Sequence, residues 1–201
     1  GPDVLDGEQT RAQINSPLYL GASSDADGCA LVQPARLAHE LARVAASLGV
    51  EVFEHSAVTS VDAPKQGDAS VQTARATVRT KQIVLATNVF PALLKRNRMM
   101  TIPVYDYVLM TEPMSAEQKA AVGWDNRQGV SDMANQFHYS RLTQDNRILY
   151  GGYDAVYFSG GRIRAAYEDR EETYEKLASH LLATYPQLEG IKFTHRWAGA
   201  I

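Results

Sequence analysis

The chain has 201 residues, 45% of them hydrophobic and 21% charged, an ordinary globular composition with enough mass for one large domain or two small ones. Its formal net charge of −3 gives no electrostatic reason to expect a nucleic-acid or anionic-membrane partner. No apolar run reaches the roughly 18 to 20 residues of a membrane-spanning helix, and the single cysteine, Cys29, favours a reducing, cytoplasmic location over a disulfide framework.

The first part of the chain predicts a helix followed by a strand. Apolar residues recur at helical spacing from about Pro34 to Leu48, with Pro34 suited to a first turn and Gly49 to the position after the last turn. The run Val50 to His55 comes directly afterwards and is typical of a strand. A helix joined to a strand in this way builds a parallel sheet.

The next segment predicts a polar ribbon and then a buried strand. Two alternating runs, Val58 to Val61 and Val71 to Thr80, indicate strands with one exposed face, separated by the turn-forming stretch Pro64 to Asp68. The apolar run Ile83 to Ala86 is instead typical of a strand that is covered on both faces and opens onto a site at its carboxyl end. We expect the helix at 34–48 to pack on the sheet that contains this strand, because each needs the other to be buried.

The second half predicts a mostly antiparallel sheet with a packing helix. Its strands are expected at Ile102 to Thr111, Gln136 to Leu142, Ile148 to Tyr153 and about Ile191 to Trp197. Residues Ala165 to Tyr185 return to helical spacing, and Pro186 stops the run. We expect Tyr105, His138 and Tyr153 to lie on antiparallel strands of one layer.

Sequence motifs exclude several chemistries at the local level. The pattern G-x-G-x-x-G between a strand and a helix does not occur, since Gly151-Gly152 and Gly160-Gly161 have neither the spacing nor the following helix. The sequence also contains no P-loop, H-E-x-x-H, C-x-x-C or G-x-S-x-G pattern. Phosphoryl transfer, zinc chemistry and serine hydrolysis therefore have no local support, and no metal site is expected.

Five stretches, taken in order, resemble one known family. They are Asp27 to Leu37, Gly49 to Val58, Ile83 to Phe90, Pro103 to Pro113 with its terminal Thr-Glu-Pro, and the hairpin of 135–139 with 145–153. The second carries the pattern G-V-x-(apolar)-x-E-x-x-x-V, and the third is an apolar strand that ends in A-(T/A)-(N/G)-x-(F/W). Together they resemble the FAD-dependent oxidoreductases of the D-amino-acid oxidase and glycine oxidase (DAO) family, in particular its γ-glutamylputrescine-oxidase-like members.

The resemblance implies an α/β (α+β) fold with a partial, Rossmann-like FAD-binding layer and a mostly antiparallel substrate-domain sheet with a packing helix. Residues 1–26 would be a substrate-domain segment, 27–97 a partial FAD-binding segment with a small ribbon, and 98–201 the antiparallel substrate domain. In full-length members the glycine-rich fingerprint precedes the matched region, and the elements that close over the flavin follow it. The chain is therefore expected to be an internal piece of a longer protein.

The same resemblance implies roles for individual residues. Val58 would contact the adenine of FAD through its backbone, while Ala86, Thr87 and Asn88 would line the cofactor. Aromatic and polar groups on the antiparallel sheet would face the flavin ring, and the candidates there are Tyr105, Tyr107, His138, Tyr139 and Asp154. Of these, Asp154, His138 and Tyr105 are the expected catalytic residues.

Each of these residues also has a structural interpretation. Tyrosines on a half-buried sheet often serve packing, and an aspartate beside glycines, such as Asp154, often forms a turn. Adjacent strand residues point to opposite faces, so His138 and Tyr139 cannot both face the flavin. Trp124 and Trp197 are expected to be structural anchors.

The resulting hypothesis is a flavin-dependent oxidoreductase that oxidises a C–N bond of a small-molecule amine or amino acid by hydride transfer to FAD. The 201 residues alone are expected neither to retain FAD nor to be active, with their apolar faces exposed or buried in a homodimer. The alternative is a non-catalytic ligand- or protein-binding domain without a nucleotide site. A third possibility, a dehydrogenase that passes electrons to a quinone or dye, differs only in the acceptor.

Overall fold

The computed structural model describes residues 1–64, 67–90 and 92–201, which contain four α-helices and ten strands. The helices are α1 (Gly7–Gln13), α2 (Pro34–Ser47), α3 (Ala116–Val122) and α4 (Glu171–Thr184). The strands are β1 (Asp3–Asp6), β2 (Gly21–Ser24), β3 (Val58–Asp62), β4 (Ala69–Thr73), β5 (Thr77–Thr80), β6 (Tyr105–Thr111), β7 (Val130–Ser131), β8 (His138–Leu142), β9 (Ile148–Gly152) and β10 (Phe193–Ala200). No helix in these ranges is long and apolar enough to cross a membrane.

The chain forms two compact units, one of residues 1–31 and 103–201 and one of residues 32–102. The first unit holds a five-stranded antiparallel sheet in the order β10-β6-β9-β8-β7, together with the hairpin β1-β2. The predicted antiparallel sheet is confirmed: Tyr105 and His138 lie in it, and Tyr153 directly follows β9. The mixed helix and sheet architecture is the predicted fold class.

One side of this sheet is covered by α4 and is here called the helix face. Side chains alternate along a strand and directly paired residues share a face, so Tyr107 and Leu109 on β6 point the same way as Tyr150 on β9. Helix α4 packs on this side through the buried Tyr174 and Leu177. The rings of Tyr107 and Tyr174 meet edge to face at 5.6 Å. This layer is the core of the unit.

The opposite side of the same sheet is here called the far face. The strand register places on it residues of β6, β8, β9 and β10 that alternate with those of the helix face. They include Asp106, Val108, Tyr139, Gly151, Trp197 and Gly199. The far face is therefore part polar and part aromatic.

The two tryptophans have different roles. Trp124 is fully buried, packs against Tyr185 with 6.0 Å between ring centroids, and donates its indole N–H to the Gln128 carbonyl at 3.0 Å. It is the structural anchor that was predicted. Trp197 is instead 41% exposed on the far face, so the same prediction for Trp197 is wrong. Trp197 is exposed because of the face of the strand on which it lies, and composition does not reveal that face.

In the unit of residues 32–102, the predicted helix and ribbon both form. Helix α2 is capped by the Gln33 side chain, has Pro34 in its first turn, and is followed by Gly49 with a φ of 91°. Strands β3, β4 and β5 form an antiparallel ribbon in that order. The turn predicted at 64–68 includes residues 65 and 66, which lie outside the described residues.

The two predicted parallel strands of this unit, Val50 to His55 and Ile83 to Ala86, are not formed among the described residues. A strand requires a hydrogen-bonded neighbour, and neither segment pairs with another described strand. Val84 is 88% exposed and Leu41, on the apolar stripe of α2, is 61% exposed. The prediction that α2 buries its stripe against Ile83 to Ala86 is therefore wrong for this chain.

Candidate functional site

His138 lies on the helix face, in a cleft of about 310 Å³ between β8, β9 and α4. Its imidazole is stacked between the rings of Tyr150 and Tyr153, with centroid distances of 5.0 and 4.9 Å. The cleft is also lined by Leu18, Tyr19, Val130, Asp132, Ser140, His180, Ala183 and Thr184. The aromatic stack holds the His138 ring in one plane.

A chain of hydrogen bonds fixes the orientation of His138. Its Nδ1 lies 2.6 Å from a carboxylate oxygen of Asp132, and its Nε2 lies 2.9 Å from Nδ1 of His180. An ionised carboxylate only accepts, so Nδ1 of His138 carries the hydrogen in the first bond. When both rings are neutral, His180 then donates to His138.

The Asp132 and His180 ends of this chain have shifted pKa values. Burial acts to raise the pKa of Asp132, but hydrogen bonds from His138 and from the backbone N–H groups of Ala134 and His138 outweigh it and lower this pKa. Burial lowers the pKa of His180 below its usual value of 6.5, and the nearby His138 and Lys176 lower it further. The neutral form of His180 is thereby favoured.

We expect the chain to lose stability as the pH falls below 6.5, with His180 as one cause. Its folded pKa is lowered, so the unfolded state takes up a proton first and the stabilisation present above pH 6.5 is lost on acidification. The lowered pKa of Asp132 acts only below its unfolded value of 3.8. The free energy of unfolding, measured by urea denaturation at a series of pH values below 6.5, should fall less steeply for His180→Gln than for the unsubstituted protein. His39→Gln, at an exposed histidine of α2, should keep the slope of the unsubstituted protein. Equal slopes for the unsubstituted protein and both variants would contradict the assignment to His180.

The other two predicted catalytic residues also lie on the helix-face side. The Asp154 carboxylate receives bonds from Lys176 Nζ at 2.9 Å and from the Thr173 hydroxyl at 3.2 Å, both on α4. Tyr105 is fully buried, and its hydroxyl both donates to and accepts from the backbone of Arg164. These contacts favour a packing role for Tyr105 and a structural ion pair for Asp154 over the predicted catalytic roles.

Tyr139 lies on the far face and reaches across the sheet to a carboxylate that the sequence interpretation missed. Its hydroxyl donates to Asp106 at 2.5 Å. Tyr139 pairs with Gly151 on the intervening strand, where an added Cβ would lie only 2.6 Å from the tyrosine ring. Glycine at 151 therefore lets the ring lie flat over β9. The signal for Asp106 was its position as the one acidic residue within the strand Tyr105–Thr111.

The hydrogen bond between Tyr139 and Asp106 has a defined polarity. Burial and the bond to Asp106 raise the pKa of the Tyr139 phenol far above its usual value of 10.0, so the hydroxyl stays protonated and donates. The charge of the pair therefore lies on Asp106. Among the residues that the structure describes, Asp106 has no ion-pair partner.

The predicted cofactor residues lie in the unit of residues 32–102 and are accessible. Val58 begins β3 and pairs with Thr73, while Ala86, Thr87 and Asn88 are exposed. Asn88 has a φ of 49° and closes a turn in which the Phe90 N–H donates to the Thr87 carbonyl at 3.2 Å. These four residues therefore lie on the surface of this unit. The sequence does not contain the glycine-rich turn that receives a pyrophosphate.

The antiparallel sheet packed on α4 in one unit, and the helix and ribbon of the other unit, define an α+β fold. A family model described as FAD dependent oxidoreductase (DAO) matches residues 1–201. The chain belongs to this family, which confirms the resemblance read from the sequence.

Individual relatives agree with this assignment. Over 98% of the chain, it is 33% identical to gamma-glutamylputrescine oxidoreductase of Escherichia coli and 28% identical to the probable oxidoreductase OrdL of Haemophilus influenzae. It spans 44% and 43% of the lengths of these two proteins. The fold is similar to that of a glycine oxidase from Bacillus cereus, with a TM-score of 0.75, 16% identity, and coverage of 100% of this chain and 52% of that one.

Proposed function

We propose that the chain works within a longer flavoprotein that oxidises a C–N bond of an amine or amino acid. The observation that carries this proposal is the DAO family match over the whole chain. The relative named for γ-glutamylputrescine supports an amine as the class of substrate. Dioxygen, a quinone or another acceptor would serve the second half-reaction equally well in this proposal.

The two units have separate tasks in this proposal. Val58, Ala86, Thr87 and Asn88 would hold the outer part of FAD through their backbone, as their accessible positions allow. FAD bound there supplies the acceptor for a hydride from the carbon next to the substrate nitrogen. The sheet of residues 103–201 would orient the substrate and exclude water from it.

The far face of that sheet is the proposed substrate side. Helix α4 already covers the helix face, where His138 bonds to Asp132 and His180 and Asp154 bonds to Lys176. The far face instead presents Tyr139 and the carboxylate of Asp106, which has no ion-pair partner in the described part of the chain. We therefore propose Tyr139, rather than His138, as the member of that adjacent pair that faces the substrate.

A comparison of the full-length protein with the 201-residue chain tests the proposal. The full-length protein, expressed from the reading frame that contains this chain, should purify with stoichiometric FAD, and an amine or amino acid should bleach its absorbance under anaerobic conditions. The 201-residue chain should retain no FAD, because its sequence lacks the glycine-rich turn whose N–H groups approach the pyrophosphate.

Two results would contradict it. A full-length protein without FAD would favour the non-catalytic binding domain. A yellow 201-residue chain that binds FAD stoichiometrically would show that the cofactor site lies elsewhere than proposed.

A further inference from the structure

We propose that Asp106 binds the positively charged nitrogen of the substrate on the far face, so that the site selects cationic amines. This inference rests on the proposed function, and in particular on the far face being the substrate side. It assigns to Asp106 the recognition of charge, and to Tyr139 the positioning of the Asp106 carboxylate.

The charge of Asp106 has no compensating cation among the residues that the structure describes. Its hydrogen-bond donor is the neutral Tyr139 hydroxyl, at 2.5 Å, and no ion pair joins it to any residue in the described part of the chain. The side chain is also half-buried. A partly desolvated carboxylate without a cation is costly, and a cationic ligand that donates N–H bonds to it offsets that cost.

There is open space beside this carboxylate. Asp106 is paired on β10 with Gly199, where an added Cβ would meet nothing within 4 Å. On the other flank the Tyr139 ring lies over Gly151 and forms a wall. The Asp106 carboxylate therefore lies between the Tyr139 ring and the open position at Gly199.

An aromatic ring lies on the same face, near the open position at Gly199. Trp197 is two residues from Gly199 on β10, points to the far face, and is 41% exposed. The indole ring offers apolar surface against which an alkyl chain can pack. A substrate with an ammonium group and an alkyl chain would place the ammonium group on Asp106 and the alkyl chain along Trp197.

The contrast with Asp154 supports the assignment. Asp154 is also partly buried, but Lys176 lies 2.9 Å from its carboxylate and satisfies its charge within the protein. Asp106 has no such internal cation among the described residues, and an external cation would supply the missing positive charge.

The experiment uses full-length protein loaded with FAD, with ligand binding followed by the change in flavin absorbance. The cationic probes are n-butylamine and 1,4-diaminobutane, and the neutral probe of matched length is n-butanol. Asp106→Asn keeps the shape and the acceptor for Tyr139 but removes the charge. It should weaken binding of the amines by about 10- to 100-fold, as expected for a lost hydrogen bond between charged groups, and leave n-butanol unaffected.

Three further variants complete the design. Tyr139→Phe keeps the carboxylate and removes only its orienting donor, so the loss should be smaller than for Asp106→Asn. Gly199→Leu fills the open position beside Asp106 and should weaken the binding of the amines and of n-butanol alike. Asp125→Asn removes one negative charge at an exposed residue outside the strands of the sheet, beside Lys119 of α3, and it should bind every probe as the unsubstituted protein does.

The outcomes separate this inference from the proposed function. If amines reduce the flavin and Asp106→Asn binds them as tightly as the unsubstituted protein, the Asp106 assignment is wrong while the proposed function stands. Equal weakening of amines and n-butanol in Asp106→Asn would show a structural role and overturn the assignment. If no amine or amino acid reduces the flavin, the proposed function fails and this inference fails with it.

Discussion

Trp124→Ala is expected to lower the free energy of unfolding by about 3 to 5 kcal/mol, the usual cost of removing a fully buried tryptophan. Trp124 has no exposed surface, packs on Tyr185 near the end of α4, and donates its indole N–H to Gln128. Alanine would leave a cavity and an unpaired carbonyl. Urea denaturation followed by circular dichroism measures the loss.

Trp197→Ala is the matched control, because it removes the same side chain from a position that is 41% exposed on the far face. Its loss of stability should be much smaller, since less apolar surface leaves contact with the protein. If both variants lose the same free energy, then Trp197 is buried in solution and the far face is not accessible there.

Gly152→Ala is expected to destabilise the chain by at least about 1 to 3 kcal/mol, the range for a residue forced into a disfavoured backbone conformation. Gly152 has a φ of 98°, and an added Cβ would lie 2.2 Å from the carbonyl oxygen of Phe137. That oxygen belongs to the backbone, so no side-chain rotation relieves the clash. Because Gly152 pairs with His138 and precedes Tyr153, the stack around His138 should also be disturbed.

Gly199→Ala serves as the control for this change. Gly199 also lies in a strand of the sheet, but an added Cβ there has free space and its φ is not positive. Its stability should therefore be unchanged or slightly raised, since alanine restricts the unfolded chain more than glycine does. If thermal unfolding shows the same loss of stability for Gly199→Ala and Gly152→Ala, the backbone conformation at 152 is not the cause of that loss.

The sequence predicted the elements that depend on local patterns. The apolar spacing and end residues of α2 sufficed for its bounds, and the alternating runs located β6, β8 and β9. It failed where an element needs a partner that is distant in sequence. Ile83 to Ala86 has the composition of a buried strand, but a strand also needs a neighbour for its backbone, and no described strand pairs with it.

The sequence predicted which strands carry the candidate site, but it did not predict which of their residues form it. Alternation along β8 showed that His138 and Tyr139 face opposite ways, but it did not show which side α4 covers. Which side α4 covers is decided by contacts between residues far apart in the chain, such as those of His138 with His180 and of Asp154 with Lys176. Asp106 was missed because its significance depends on a glycine in β9 and a tyrosine in β8.

The alternation of β6 and β8 separates two kinds of constraint within a few consecutive residues. On the helix face, Tyr107 and Tyr150 are held by α4, so a change there alters folding. On the far face, Asp106 and Tyr139 contact each other across a glycine, so a change there leaves the α4 layer in place. Such a strand could acquire a new ligand preference at every second position while its core residues stay the same, which makes the far face the place to vary in a search for altered substrates.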